Sequence, residues 1–334
     1  MSAKKKVLVV DRISEKTKLL SRRYITSEAE IFFSDDNNAQ RDLHVPTADV
    51  LITHTKGVSK EMLAKAERCV FIQKYGAGVN NIAIAEASQR GIPVGYAVGQ
   101  NARSVAEYAV MLMLAVYKHL TTAHGKLVNE GLWLKAVLRD TCYELSGKKV
   151  GIIGLGNIGR QVARLLRGFE CKVAYNDLYH MPEQEQNLGV TFMALDTLIR
   201  ESDVVTLHVP LTELTNHMIN KERLLAMKPT AVLINTSRGA VVDEKALVEV
   251  LQSGHLLGAG LDVYEAEPID QNHPLAKIER VILSPHTAGG TNESMEAVVR
   301  ESSRNINSML TEGRVVDEKS IVNWQELKLR QTAG

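Results

Sequence analysis

Cysteine is scarce in this chain of 334 residues: only Cys69, Cys142 and Cys171 occur, odd in number, far apart and without a C-x-x-C pair. A disulfide framework and a dithiol redox motif are therefore not expected, and the thiols read as small buried hydrophobes of a cytoplasmic protein. Long apolar runs are missing too. The longest uncharged one, residues 108–117, is ten residues, against the ~20 that cross a bilayer. The basic start Lys4-Lys5-Lys6 could imitate a signal peptide, but the apolar run 7–10 stops at Asp11, too short for such a signal's core. A soluble protein without a membrane partner is the expectation. Charge of one sign is also lacking: 40 basic residues face 39 acidic ones, so nothing global favours nucleic acid. No Pro/Ser-rich linker, low-complexity tract or clear internal repeat occurs.

What the chain does have is an alternation of short apolar runs with helical ones. Strands are expected at 7–10, 29–33, 50–53, 70–74 and 93–96, and again at 149–154, 172–176, 190–193, 203–207, 231–235, 257–261 and 280–283. Alternation of this kind specifies parallel sheets with helices on both faces. The expected class is α/β, with two doubly wound parallel-sheet domains. The helical run 102–120 is apolar nearly all round, so it should be buried between domains or at a subunit contact. A last long helix is expected over 294–310, and the tail beyond carries no interpretable motif.

The stretch 149–177 organises the second half. Strand 149–153 leads into Gly154-Leu155-Gly156-Asn157-Ile158-Gly159, a helix follows, and a second strand ends at Asp177. Gly154 allows the tight turn, Gly156 lets backbone approach a pyrophosphate, and Gly159 lets helix and strand pack closely. The helix N-terminus offers N–H groups and partial positive charge to phosphates. Asp177, eighteen positions beyond Gly159, suits a ribose diol and would repel a 2′-phosphate. Leu178, Tyr179 and His180 supply no cation for one, so NAD is expected rather than NADP. A lone glycine fingerprint is weak, because such turns also serve packing alone; the strand context and the acid give it weight.

Three further stretches follow expected strands, where an open α/β sheet places its ligands. Asn235-Thr236-Ser237-Arg238-Gly239 presents an arginine whose fork suits a carboxylate, against the usual alternative of a surface ion pair. Residues 262–267 carry Asp262, Glu265 and Glu267 before Pro268; such acidic loops are usually just solvated. Ser284-Pro285-His286-Thr287 holds a histidine between a proline and small residues. Together an Arg, a Glu and a His complete a reaction: hydride moves to or from a nicotinamide, a proton moves with it, and an anionic substrate is clamped.

These motifs, with His208-Val209-Pro210-Leu211-Thr212, make the chain resemble the D-isomer-specific 2-hydroxyacid dehydrogenase family over nearly its full length. The resemblance implies a flavodoxin-like substrate domain at 1–100, completed by 294–334, and a Rossmann NAD-binding domain at 101–293. It implies His286 as acid/base, Glu267 as the carboxylate orienting it and favouring imidazolium, and Arg238 as clamp and polariser of the carbonyl. NAD would lie along Gly154, Gly156, Asn157, Ile158, Gly159, Asp177, His208, Val209, Pro210, Thr215, Thr236, Ser237, Asp262 and His286, with Asp262 at the nicotinamide end. The loop Lys74, Tyr75, Gly76, Ala77, Gly78 would receive the substrate carboxylate on backbone N–H groups. His54 and Trp133 are further candidates to line the pocket. No metal is expected. Asn101, Arg103 and Glu107 open the helix that family members use between domains and in a homodimer.

Departures are also visible. The family often has Asp-Asn-Ile-Asp after the glycine loop, where this chain has Asn80-Asn81-Ile82-Ala83. Phosphoglycerate-oxidising members carry an early Arg-Ser pair; here the matching region is Thr53-His54-Thr55-Lys56-Gly57, with Lys56 the one cation left to meet a phosphate. The expected activity is interconversion of a small 2-oxo acid and a D-2-hydroxy acid. The alternatives are 3-phosphoglycerate dehydrogenase activity, oxidation of a small anion such as formate or phosphite, and a nucleotide-sensing corepressor.

Overall fold

The computed structural model describes residues 4–333. The chain divides into two compact units, Met1–Asn101 with Thr291–Gly334, and Ala102–Gly290.

The first unit is built on a parallel sheet of β1 (Lys5–Val9), β2 (Ala29–Phe33), β3 (Val50–Thr53), β4 (Phe71–Lys74) and β5 (Val94–Tyr96), in the order β2-β1-β3-β4-β5. This is the flavodoxin-like order. Successive side chains on a strand point to opposite faces, so Val7, Val9, Val50, Ile52 and Phe71 enter one core while Leu8, Leu51, Ile72 and Val94 enter the other. Both faces are covered, which is why these strands read as continuous apolar runs rather than alternating ones. The C-terminal part returns here. Helix Asn292–Thr311, opened by a capping box between Thr291 and Ser294, packs on helix Glu15–Tyr24. The tail without an interpretable motif then closes the sheet edge. Ile321 bridges Gly95, the Asn323 Oδ1 accepts the Val94 N–H at 2.9 Å, and its Nδ2 donates to the Ile92 carbonyl at 3.0 Å. The edge backbone of β5 is thereby partnered rather than left as a template for another chain.

The second unit has β6 (Lys149–Ile153), β7 (Lys172–Asn176), β8 (Thr191–Phe192), β9 (Val204–Leu207), β10 (Val232–Asn235), β11 (Gly258–Leu261) and β12 (Val281–Leu283), ordered β12-β11-β10-β9-β6-β7-β8. Strand order reverses between β6 and β9, the switch point at which doubly wound sheets bind ligands. Helix Ala102–Tyr117 packs on β10, β11, β12 and helix Asn157–Leu166. It is therefore buried, as its all-round apolarity predicts, against the sheet of this unit. It also stops short of the expected end: His119 takes a left-handed φ of +48° and a separate helix, Leu120–Glu130, begins. Gly260 makes the close approach possible, since a Cβ there would press on Leu112 of the helix at 2.9 Å.

Candidate active site

The glycine turn joins β6 to helix Asn157–Leu166 beside the end of β9. Gly154 has φ +95°, and a Cβ on it would stand 2.6 Å from the His208 carbonyl oxygen, so only glycine fits the approach of these two loops. The Gly154 N–H donates to Asn176 O at 2.8 Å, tying the turn to β7. Gly159 abuts the Gly154 carbonyl, and above Gly156 the space is open. Asn157 begins the helix and Ile158 packs into the core beneath it. Asp177 at the end of β7 accepts the Leu155 N–H at 2.8 Å, so the acid braces the turn. The first helical turn also carries Arg160, whose Nε donates to Leu155 O at 2.9 Å; the glycine spacing did not single it out.

The opposite wall comes from the segment after β9. His208 N–H donates to Ile153 O at 2.8 Å, and Val209 lies against Gly154. Thr215 Oγ1 donates to Pro210 O at 2.6 Å and accepts the Thr212 N–H at 2.8 Å, which closes this loop on itself. The His208 Nε2 meets Thr206 Oγ1 at 2.9 Å, and burial pushes its pKa down to about 3. Two sealed polar atoms here have no partner among the described residues, His208 Nδ1 and Thr236 Oγ1. Buried polar groups are normally satisfied. An open approach at Gly156, helix N–H groups, a carboxylate at the end of β7 and two orphaned atoms at the ends of β9 and β10 together fit a dinucleotide.

Arg238 follows β10 in a turn held by Asn235. The Asn235 Oδ1 accepts both the N–H (3.0 Å) and the hydroxyl (2.9 Å) of Ser237, and its Nδ2 donates to Arg238 O at 2.9 Å. One edge of the guanidinium donates from Nη1 to Ser237 O at 2.5 Å. Burial disfavours the Arg238 cation and the nearby Glu267 carboxylate favours it. Glu267 in turn reaches His286: its Oε2 is 2.7 Å from the imidazole Nδ1, while Oε1 accepts the Tyr264 N–H at 3.1 Å. The structure therefore brings Arg238, Glu267 and His286 into one cluster.

His286 sits at φ +53°, in a loop held by Asp262. Asp262, 1% exposed, accepts the Ser284 hydroxyl (2.6 Å) and the N–H groups of Thr287 (2.9 Å) and Ala288 (2.8 Å). Its carboxylate supports the His286 loop, a structural role that the sequence reading did not foresee. Ser104 adds a second tie, its hydroxyl donating to Ala288 O at 2.7 Å.

In the first unit, the loop after β4 carries the expected carboxylate-binding backbone. No hydrogen bond to the N–H groups of Gly76, Ala77 or Gly78 forms among the described residues, and the Gly76 carbonyl accepts the Ala97 N–H at 2.9 Å. Lys74 is buried, with Nζ 3.2 Å from Asn81 Oδ1. Tyr75 departs from expectation. Its ring is in the core, 1% exposed, with the hydroxyl 3.1 Å from Ser21 Oγ, so only its backbone belongs to the loop. The neighbouring loop after β3 hangs on Asp11, whose buried carboxylate accepts the N–H groups of His54, Thr55 (2.6 Å) and Lys56 (2.8 Å). Burial pushes the His54 pKa down. Lys56 pairs with Asp36 at 2.9 Å, so its charge is already partnered. Trp133 stands 77% exposed beyond helix Leu120–Glu130.

Residues 110–288 match the family model of the D-isomer specific 2-hydroxyacid dehydrogenase NAD binding domain. Among curated proteins, the chain is 38% identical over 289 residues to a glyoxylate reductase of Korarchaeum cryptofilum, covering 86% of each chain. It is 38% identical over 257 residues to a hydroxypyruvate reductase of Thermotoga maritima, covering 76% of this chain and 82% of the relative. Among solved structures, the D-lactate dehydrogenase of Aquifex aeolicus, complexed with NAD and lactic acid, superposes with a TM-score of 0.79 at 27% identity, covering 93% of this chain and 98% of that one.

Proposed function

The chain belongs to the D-isomer specific 2-hydroxyacid dehydrogenase family, and from that premise we propose that it reduces glyoxylate and hydroxypyruvate with NADH, using His286, Glu267 and Arg238. The observation that carries this assignment is the His286–Glu267 pair at 2.7 Å, with the Arg238 guanidinium near enough for the Glu267 carboxylate to favour its cation, just beyond β12, β11 and β10. Bound NADH supplies the hydride. His286 supplies the proton. Because Glu267 can only accept, Nδ1 carries a hydrogen and Nε2 is left to exchange the other. During reduction the Nε2–H of the imidazolium goes to the oxo oxygen while hydride joins the carbonyl carbon; in oxidation the neutral Nε2 takes the hydroxyl proton. Arg238 clamps the substrate carboxylate and draws electron density from the carbonyl.

The partnered state of Lys56 supports an unphosphorylated substrate. A segment rich in exposed apolar side chains supports self-association as a homodimer: Leu120, Leu127, Val128, Trp133 and Val137 are all more than 45% exposed, and exposed apolar surface is where protein partners bind. Three unpaired thiols and the use of NAD support a cytoplasmic setting. The test is NADH oxidation across glyoxylate, hydroxypyruvate, pyruvate, longer 2-oxo acids and phosphohydroxypyruvate. The first two should give the highest kcat/KM; preference for phosphohydroxypyruvate would overturn the substrate assignment.

A further inference from the structure

The loops after β9, β10 and β11 touch one another outside the reacting cluster. Gly239, next to Arg238, has no room for a side chain, because a Cβ would run into the peptide joining Tyr264 to Glu265. The turn that aims Arg238 and the loop that carries Glu267 are therefore in backbone contact. Contact alone does not fix their register, and a second set of bonds does. The Glu244 N–H donates to Glu265 Oε1 at 3.1 Å, and the Glu265 N–H donates to Glu244 Oε2 at 3.2 Å. Two carboxylates held side by side repel, and each has a histidine beside it: His217 Nε2 is 2.9 Å from Glu265 Oε1, and His273 Nε2 is 3.2 Å from Glu244 Oε1.

His217 joins all three loops. Its own N–H donates to Ala240 O at 2.7 Å, two residues beyond Arg238, while its ring holds Glu265, two residues before Glu267. It reaches both only by taking a left-handed φ of +48°, uncommon for any residue but glycine. The consecutive N–H groups of Tyr264 and Glu265 serve Glu267 and Glu244 respectively, so a shift at Glu265 is passed directly to the carboxylate that orients His286.

We propose that His217, acting through Glu265 and its reciprocal partner Glu244, is a positioning residue that keeps the Arg238 turn and the Glu267 loop in one register. This rests on the assignment of Arg238, Glu267 and His286 as the reacting set. His217 touches no reacting atom; its effect is geometric, and a misplacement of about 1 Å at a reacting group can cost roughly a hundredfold in rate.

The experiment measures kcat, both KM values and thermal stability for H217A, H217Q and E265A, with glyoxylate and hydroxypyruvate as substrates and H286Q and R238K alongside. H217A should lose about tenfold to a hundredfold in kcat and raise the KM of the 2-oxo acid. H217Q, whose amide can still donate to Glu265, should recover most of the loss. E265A, which removes the acceptor of both the Glu244 N–H and the His217 ring, should resemble H217A, and it carries the test if H217A does not fold. A lowered melting temperature with wild-type kcat in H217A or E265A overturns the proposal, as does H217Q performing as poorly as H217A. If H286Q and R238K also keep wild-type turnover, the assignment of the reacting set has failed instead.

Discussion

Replacing Arg238 with lysine isolates the clamp, because it keeps the positive charge and removes the fork. The turn that presents residue 238 is held by Asn235 through bonds to the backbone and to Ser237, so the substitution should leave the backbone in place. Apart from Nη1, which is given to Ser237 O, the guanidinium N–H groups bond nothing among the described residues, so a bidentate carboxylate contact is open to them. A lysine offers one compact donor in place of two parallel ones. A charge-assisted hydrogen bond contributes about 1.5–3 kcal/mol, and each 1.36 kcal/mol is tenfold in rate, so kcat/KM for hydroxypyruvate should fall roughly tenfold to 150-fold. Initial rates from NADH absorbance measure it, with the KM of NADH as the internal control. An uncharged 2-oxo amide should be a poor substrate for both enzymes and should show little of the difference. Wild-type kcat/KM in R238K, or an equal loss with the amide, would refute the clamp.

Three other expectations follow from the same geometry. Asp262→Asn replaces one carboxylate oxygen by an NH2, so either the Thr287 or the Ala288 N–H comes to face a donor, and leaving one such group unmatched costs about 1–3 kcal/mol; calorimetry should show a clear fall in melting temperature with loss of turnover, whereas wild-type stability would contradict the tether. His208, neutral in the fold with its pKa pushed down to about 3 from the ordinary 6.5, binds a proton more readily when unfolded, so stability is full above pH 6.5 and falls as pH drops toward 3. At pH 5 the deficit is about 2 kcal/mol, and H208Q should flatten that part of the melting-temperature profile; an identical slope in H208Q counts against it. Asp177→Ser should narrow the preference for NADH over NADPH by about tenfold or more, since a charge-assisted bond to the ribose is lost and a repulsion removed; an unchanged ratio of kcat/KM values would move the ribose contact elsewhere.

Much of the fold was legible because its signals are local. The apolar runs of β1, β3, β6, β9 and β10 are short, bounded and buried on both faces, which periodicity can detect. The glycine turn announces itself because Gly154 and Gly159 have backbone where a side chain would be. What escaped depends on distant partners. Asn323 reads as an ordinary tail residue until β5 supplies Val94 and Ile92, some 230 positions away. The break at His119 has no proline or glycine to mark it, only a left-handed φ. Tyr75 stands beside a glycine loop, which suggested the ligand side, yet its ring turns into the core toward Ser21. Asp262 shows the same limit at the site: its support of the His286 loop rests on three donors 22 to 26 positions away, which no local pattern announces.

The central claim is that His286, oriented by Glu267, delivers the proton as hydride reaches the 2-oxo carbon. Its most direct test is chiral analysis of the product from hydroxypyruvate and NADH, run with the wild-type protein and with H286Q. The account predicts the D-hydroxy acid from the wild type and almost none from H286Q, with NADH still bound. An L-product, or D-product formed by H286Q at the wild-type rate, would contradict it.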